Sequence, residues 1–231
     1  MQTSPTPRHG PGLAQPAVKL SRRWARWMGS AATLALTLAA PQQAARAQGA
    51  PTRYDTADVQ FMQGMISHHA QALAMVALIP THTSRPELQM IGQRIKISQT
   101  DEIALMQRWL TNHHDVVPSV DSNNVAHMPG ADMPGMHMSG GVMMMPGMLT
   151  PEQMKQLADA KDTQFDTLFL VGMIHHHEGA LAMVKSLLGT AGAAQGPDVF
   201  TFAADADADQ RAEIKRMQAV LASINTQGHK S

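Results

Sequence analysis

The 231-residue chain contains no cysteine. Disulfide staples and thiolate ligands are therefore excluded: the fold must stand on its apolar core, and any sulfur offered to a metal must come from methionine. No apolar run approaches the roughly 20 residues that a helix needs to span a bilayer. Acidic residues are missing from residues 1–47, although this part holds six of the eighteen Lys and Arg. No segment shows the polar–apolar alternation of a half-buried strand. Glu-x-x-His and His-Glu-x-x-His are both absent. The first is the mark of di-iron carboxylate bundles and the second of zinc hydrolases, so neither chemistry is favoured.

What the amino terminus does contain reads as an export signal. Lys19, Arg22, Arg23 and Arg26 precede a short apolar run, residues 29–40, and Ala45-Arg46-Ala47 supplies a small-x-small cleavage site. Ser21-Arg22-Arg23 resembles a twin-arginine signal only faintly, and the export route stays open. Cleavage after Ala47 leaves twelve basic against eighteen acidic residues, a net charge of −6. A nucleic-acid partner is disfavoured, because phosphate binding needs a basic face. The expected product is periplasmic or otherwise exported, with no membrane segment left. It comprises a linker over 48–54 and a single domain over 55–226.

That domain is built on a repeat. Residues 61–76, FMQGMISHHAQALAMV, and 169–184, FLVGMIHHHEGALAMV, share eleven of sixteen positions at an offset of 108. In the first copy Asp58, Phe61, Met62, Met65, His68, His69, Ala72, Met75, Val76 and Ile79 fall within a helical sector of about 140°. Pro80 is expected to end that helix. Ser84 is expected to cap a second one, which carries Leu88, Ile91, Ile95, Glu102, Ile103, Met106 and Leu110 on its inner side. Thr150-Pro-Glu-Gln153 forms a capping box for a short helix that bends near 161–163. The His-rich second copy follows on a third main helix, and the last helix starts near Asp198. Gln99-x-x-Glu102-Ile103-x-x-Met106 recurs as Gln210-x-x-Glu213-Ile214-x-x-Met217. The expected fold is all-α: a ferritin-like four-helix bundle of two repeated hairpins, 55–111 and 164–225. A Met- and His-rich loop, 112–149, separates the halves, and its Pro and Gly content predicts a flexible segment.

Imidazole and thioether are neutral donors, and thioether sulfur is soft, preferring Cu(I) or Ag(I) to Zn, Fe or Mn. Met65 lies one helical turn from both His68 and His69, so the three can converge on one ion, with Met106 from the second helix. The equivalent set is Met173, His176, His177 and Met217, with His175 found only in this half. Glu102 and Glu213 are candidates to orient a histidine by hydrogen bonding. Glu178, Met75, Met183, and Met136, His137 and Met138 of the loop are weaker candidates. Methionines on an apolar face also serve as plain core. Asp58 and Asp166 read as helix-start acids and Gly64 and Gly172 as close-approach positions.

These motifs, Asp-x-x-Phe-x-x-x-Met-Ile-x-His-His and Gln-x-x-Glu-Ile-x-x-Met, resemble the domain-of-unknown-function 305 family over about residues 55–221. The resemblance implies an exported copper-binding protein with His and Met ligands at Met65, His68, His69 and Met106, and at Met173, His176, His177 and Met217. Ser67 stands where the second copy has His175. The expectation is a non-enzymatic protein that sequesters or traffics Cu(I), with Ag(I) and Cu(II) as further options, in copper resistance or homeostasis. A periplasmic copper-trafficking protein is its expected partner. The alternatives are a ferritin-like Fe or Mn oxidase, or a non-metal exported helical interaction module.

Overall fold

The computed structural model describes residues 54–129 and 144–228. The export signal, most of the linker, and Met136, His137 and Met138 lie outside them. The elements in order are α1 (Thr56–His82), α2 (Pro86–Asn112), β1 (Ser119–Val120), β2 (Ala126–His127), α3 (Pro151–Asp159), α4 (Asp162–Gly189) and α5 (Pro197–Gly228). The protein is all-α apart from β1 and β2, which pair antiparallel inside the stretch read from sequence as loop. No described helix is long and apolar enough to cross a membrane.

Local chemistry accounts for two helix starts. The Asp55 carboxylate caps α1 by accepting from the Ala57 N–H, and Asp58 reaches back to the Asp55 N–H at 2.9 Å. Thr150 and Gln153 form the expected capping box of α3. Two boundaries differ from expectation. Pro80 does not end α1 but sits within its last turn, and Thr83 is the C-cap. Ser84 does not cap α2; Arg85 stands at that position without a side-chain bond, and Pro86 opens the helix with its φ already set.

Two apolar clusters fill the interior. One gathers Phe61, Met62, Met65 and Ile66 of α1 with Ile103, Met106 and Leu110 of α2, the carboxyl-terminal half of α4, and Val199, Phe202 and Ala203 of α5. The other gathers Met75, Val76 and Ile79 of α1 with Leu88 and Ile95 of α2, Phe165, Phe169 and Met173 of α4, and Met217 and Ile224 of α5. The start of α1 thus meets the end of α2, the end of α4 and the start of α5. Neighbouring helices run antiparallel, with α1 packed along α2 and α4 along α5, and with α1 also against α4. The inward residues expected of α1 are all buried.

Asp58 and Asp166 do more than start helices. Buried Asp58 also accepts from the Ala194 N–H at 2.7 Å, in the connection between α4 and α5. Asp166, at the matching position of the second copy, accepts from Arg85 Nε at 2.6 Å, in the connection between α1 and α2. Each aspartate therefore grips the hairpin turn of the other half. Asp58→Ala strands the buried Ala194 N–H and should lower unfolding free energy by about 1–3 kcal/mol. Urea denaturation of the variant and parent checks this; a change within about 0.5 kcal/mol would count against the clamp.

Candidate metal centre

Between the two apolar clusters lies a layer of polar side chains at the middle of the four long helices. His68 and His69 of α1 and His176 and His177 of α4 are each 0% exposed. Gln99 on α2 and Gln210 on α5 are buried in the same stretch, one helical turn before Glu102 and Glu213. The His68 and His176 rings face each other with centroids 3.7 Å apart and planes 37° from parallel. His69 and His177 flank this pair, with centroids 6.4 Å and 6.3 Å from their neighbours.

The outer histidines are oriented alike. His69 Nε2 is 2.5 Å from a Glu102 carboxylate oxygen, and His177 Nε2 is 2.6 Å from Glu213. With Nε2–H donating to the carboxylate, the Nδ1 lone pair of a single-proton ring is left free. His68 Nε2–H donates to the Pro146 carbonyl at 3.0 Å with the same result. All three Nδ1 atoms, and both nitrogens of His176, are buried without a hydrogen-bond partner. Among the described residues ten buried side-chain nitrogen and oxygen atoms have no partner, and eight of these belong to the four histidines, Gln99 and Gln210. Orphaned polar atoms are thus concentrated in one layer, whereas a core histidine normally satisfies itself. His82 shows the contrast: buried near Phe165, it has partners on both ring nitrogens, including the Ala158 carbonyl at 2.9 Å.

Burial governs the protonation of the central pair. Removal from water, reinforced by neighbouring His69, lowers His68 from 6.5 to about 3 despite its bond to Pro146. His176 is held well below its ordinary value, by burial first and then by His68. Both are neutral at physiological pH, the state in which imidazole binds a metal. On the outer side Asp101, Glu102, Asp205 and Asp209 line a groove between α2 and α5. There partial burial and then the nearby Glu102 and Glu213 raise the Asp209 carboxyl.

The predicted site residues do not all meet. Met65 and Met106 are fully buried in the first apolar cluster, and Met173 and Met217 in the second, so a methionine pair borders the histidine layer on each side. His175 lies on the exposed side of α4, 65% accessible and 4.0 Å from Glu178, itself exposed, away from the buried rings. Met75 and Met183 reach across to the opposite helix, their methyl groups close to Gly172 and Gly64 respectively. Those glycines therefore make room for side chains, not for helix backbones. Among the described residues no group of three or more His, Asp or Glu is placed to hold an ion.

Sequence reasoning missed what closes this layer. Residues 145–149, the end of the supposed flexible loop, are threaded between α1 and α4. The Gln71 amide grips Leu149 through both its N–H and its carbonyl, at 2.7 and 2.9 Å. Gly147 takes φ +79, and Gly179 lies against Pro146 and Gly147 so closely that a Cβ would come within 1.9 Å of the Pro146 carbonyl oxygen. The signal was present where the two copies differ: Gln71 and Gly179 occupy equivalent positions and hold the same segment from opposite sides.

An all-α protein with a buried histidine layer bordered by methionine is thus defined. The chain belongs to the family described as Domain of unknown function (DUF305), whose match spans residues 58–221. Among solved structures it is similar to a DUF305 protein from Streptomyces coelicolor, described as a candidate secreted protein, at 27% identity and TM-score 0.59, covering 73% of this chain and 94% of that one. A DUF305 fragment from Deinococcus radiodurans matches at 25% identity and TM-score 0.58, with 74% and 98% covered. CopM in its Cu(I)-bound form matches at 25% identity and in its Cu(II)-bound form at 27%. Both have TM-score 0.52, with 72% of this chain and 96% of CopM covered. No curated protein matches.

Two outcomes follow. Gly179→Ala should displace residues 146–147 and release His68 from Pro146, so His68 ring signals in NMR should move and the melting temperature should fall by several degrees; an unmoved His68 would contradict the clasp. The metal-free protein should also lose stability on acidification, because the folded state binds fewer protons at His68 and His176 than the unfolded chain does. Stability is full above about 6.5 and is lost as pH falls toward about 3. Thermal melts across that range in chelator check the slope, which His68→Gln should reduce.

Proposed function

We propose that this protein binds Cu(I) in the histidine layer, with Met65 and Met106 on one side and Met173 and Met217 on the other. The carrying observation is the set of unpartnered, buried Nδ1 lone pairs on His68, His69 and His177, oriented by Pro146, Glu102 and Glu213. Neutral imidazole and thioether donors in a dry layer suit a soft monovalent ion, whose weak hydration makes burial less costly than for Zn(II) or Fe(II). The copper-bound CopM structures support the same reading. Ag(I) shares this chemistry, and Cu(II) can use the histidine nitrogens.

The role is non-catalytic: the protein stores the ion or hands it to a copper-trafficking partner, in copper resistance or homeostasis. Burial of all four rings, with residues 145–149 laid over them between α1 and α4, supports storage over turnover. An exported setting fits the export-like amino terminus and the absence of cysteine. Among the described residues oxidase chemistry on Fe or Mn finds Glu102 and Glu213 as carboxylates in the layer, each already engaged by a histidine.

Anaerobic Cu(I) titration of the protein against a competing chelator tests the reading. Exchanging His68, His69, His176 and His177 for Ala should weaken the tightest site by more than about 100-fold. His69→Gln with His177→Gln provides a milder pair should the fourfold variant lose its helical circular dichroism. Unchanged Cu(I) affinity in the folded variants, or oxygen consumption with Fe(II), would overturn it.

A further inference from the structure

A second group of thioethers lies outside the histidine layer. Met128, Met145, Met148 and Met154 line a cavity of about 510 Å³ against the outward side of α1, beside Gly64 and Ser67. They come from three places: just beyond β2, the turn at 145–148, and α3. Met154 also packs against the second apolar cluster, yet Met128, Met145 and Met154 are only partly buried and border the cavity. Among the described residues no charged side chain lines the cavity; its polar groups are amides such as Gln60, Gln63 and Gln71. A hydrated divalent cation finds no carboxylate among these lining residues, whereas a soft monovalent ion finds up to four neutral sulfurs.

The turn ties Met145 and Met148 to each other. The Met148 N–H donates to the Met145 carbonyl at 3.2 Å, and the Met145 N–H points at Met148 Sδ at 3.3 Å. On the other side Met145 Sδ rests over Gly64, 3.4 Å from where a Cβ would stand. Pro146, between the two methionines, is the residue whose carbonyl accepts from His68. One short turn thus joins the cavity to the histidine layer.

We infer that this cavity is an outer binding site for a soft monovalent cation, Cu(I) or Ag(I), held by thioethers alone. It rests on the copper reading only in sharing that ion's chemistry, since none of its ligands is a histidine. A bound ion draws Met145 and Met148 together and thereby shifts Pro146 against His68, so filling the outer site is felt at the inner one. The outer site is the place where an arriving ion first exchanges water for sulfur.

Silver(I) is the probe, because it needs no reductant. The full chain with 13C-labelled methionine methyls is titrated with Ag(I), methyl shifts are followed by NMR, and bound ions are counted by native mass spectrometry. Three variants are compared: M128L/M145L/M148L/M154L; the fourfold histidine-to-alanine protein; and M133L/M136L/M138L/M143L, which alters only the neighbouring stretch. The parent should show shifts of the Met128, Met145, Met148 and Met154 methyls on adding Ag(I). The first variant should bind one ion fewer, and the third should keep those four shifts. The histidine variant should still show them, whatever becomes of its inner site. Full Ag(I) count and affinity in the first variant, or absence of the four methyl shifts in the parent, would overturn the outer site. Loss of the ion in the third variant but not in the first would do the same. Failure of the histidine reading shows separately, as a histidine variant that binds as the parent does.

Discussion

Four imidazole rings held away from water at the middle of the helices set the terms for the rest of this fold. A buried polar ring without a partner is costly, and here the carboxylates of Glu102 and Glu213 and one backbone carbonyl satisfy only part of the hydrogen-bonding capacity. Two apolar clusters, one above and one below the layer, supply the burial that tolerates this deficit. The ring nitrogens left without a partner lie in this one layer, and the proposed role of the layer rests on them.

The layer is also closed by chain that belongs to none of the four long helices. Residues 145–149 cross the seam between α1 and α4, held by Gln71 from one side and admitted by Gly179 on the other. The two halves are therefore alike in their His–Glu pairs and unlike where this segment crosses. Aspartates 58 and 166 lock the arrangement at the ends of the helices, each tying down a turn of the other half. A centre assembled from side chains of all four helices gains its rigidity from such cross-half contacts, not from any one helix.

Much of this was legible in the sequence. The sector predicted for α1 is buried in full, since helical periodicity maps directly onto a face. The recurrence of Gln-x-x-Glu pointed to Glu102 and Glu213 as partners of a histidine, and each carboxylate does accept from one. His175 resisted the same logic. Adjacent positions on a helix diverge by about 100°, so a run of three histidines cannot face one way, and packing against α1 selects His176 and His177 for the interior. Pro80 misled as a terminator because a last-turn proline forgoes a single hydrogen bond, which continued packing of α1 outweighs.

The sequence by itself determined the class of fold, the helical faces and the kind of donor available, because these depend on periodicity and residue chemistry within single segments. Only the tertiary structure decided which ring nitrogens are left bare, that His68 and His176 stack across the two halves, and that Met128, Met145, Met148 and Met154 share one cavity. Those facts depend on how segments distant in the chain approach one another, and no local pattern encodes the rotation and depth at which packed helices settle.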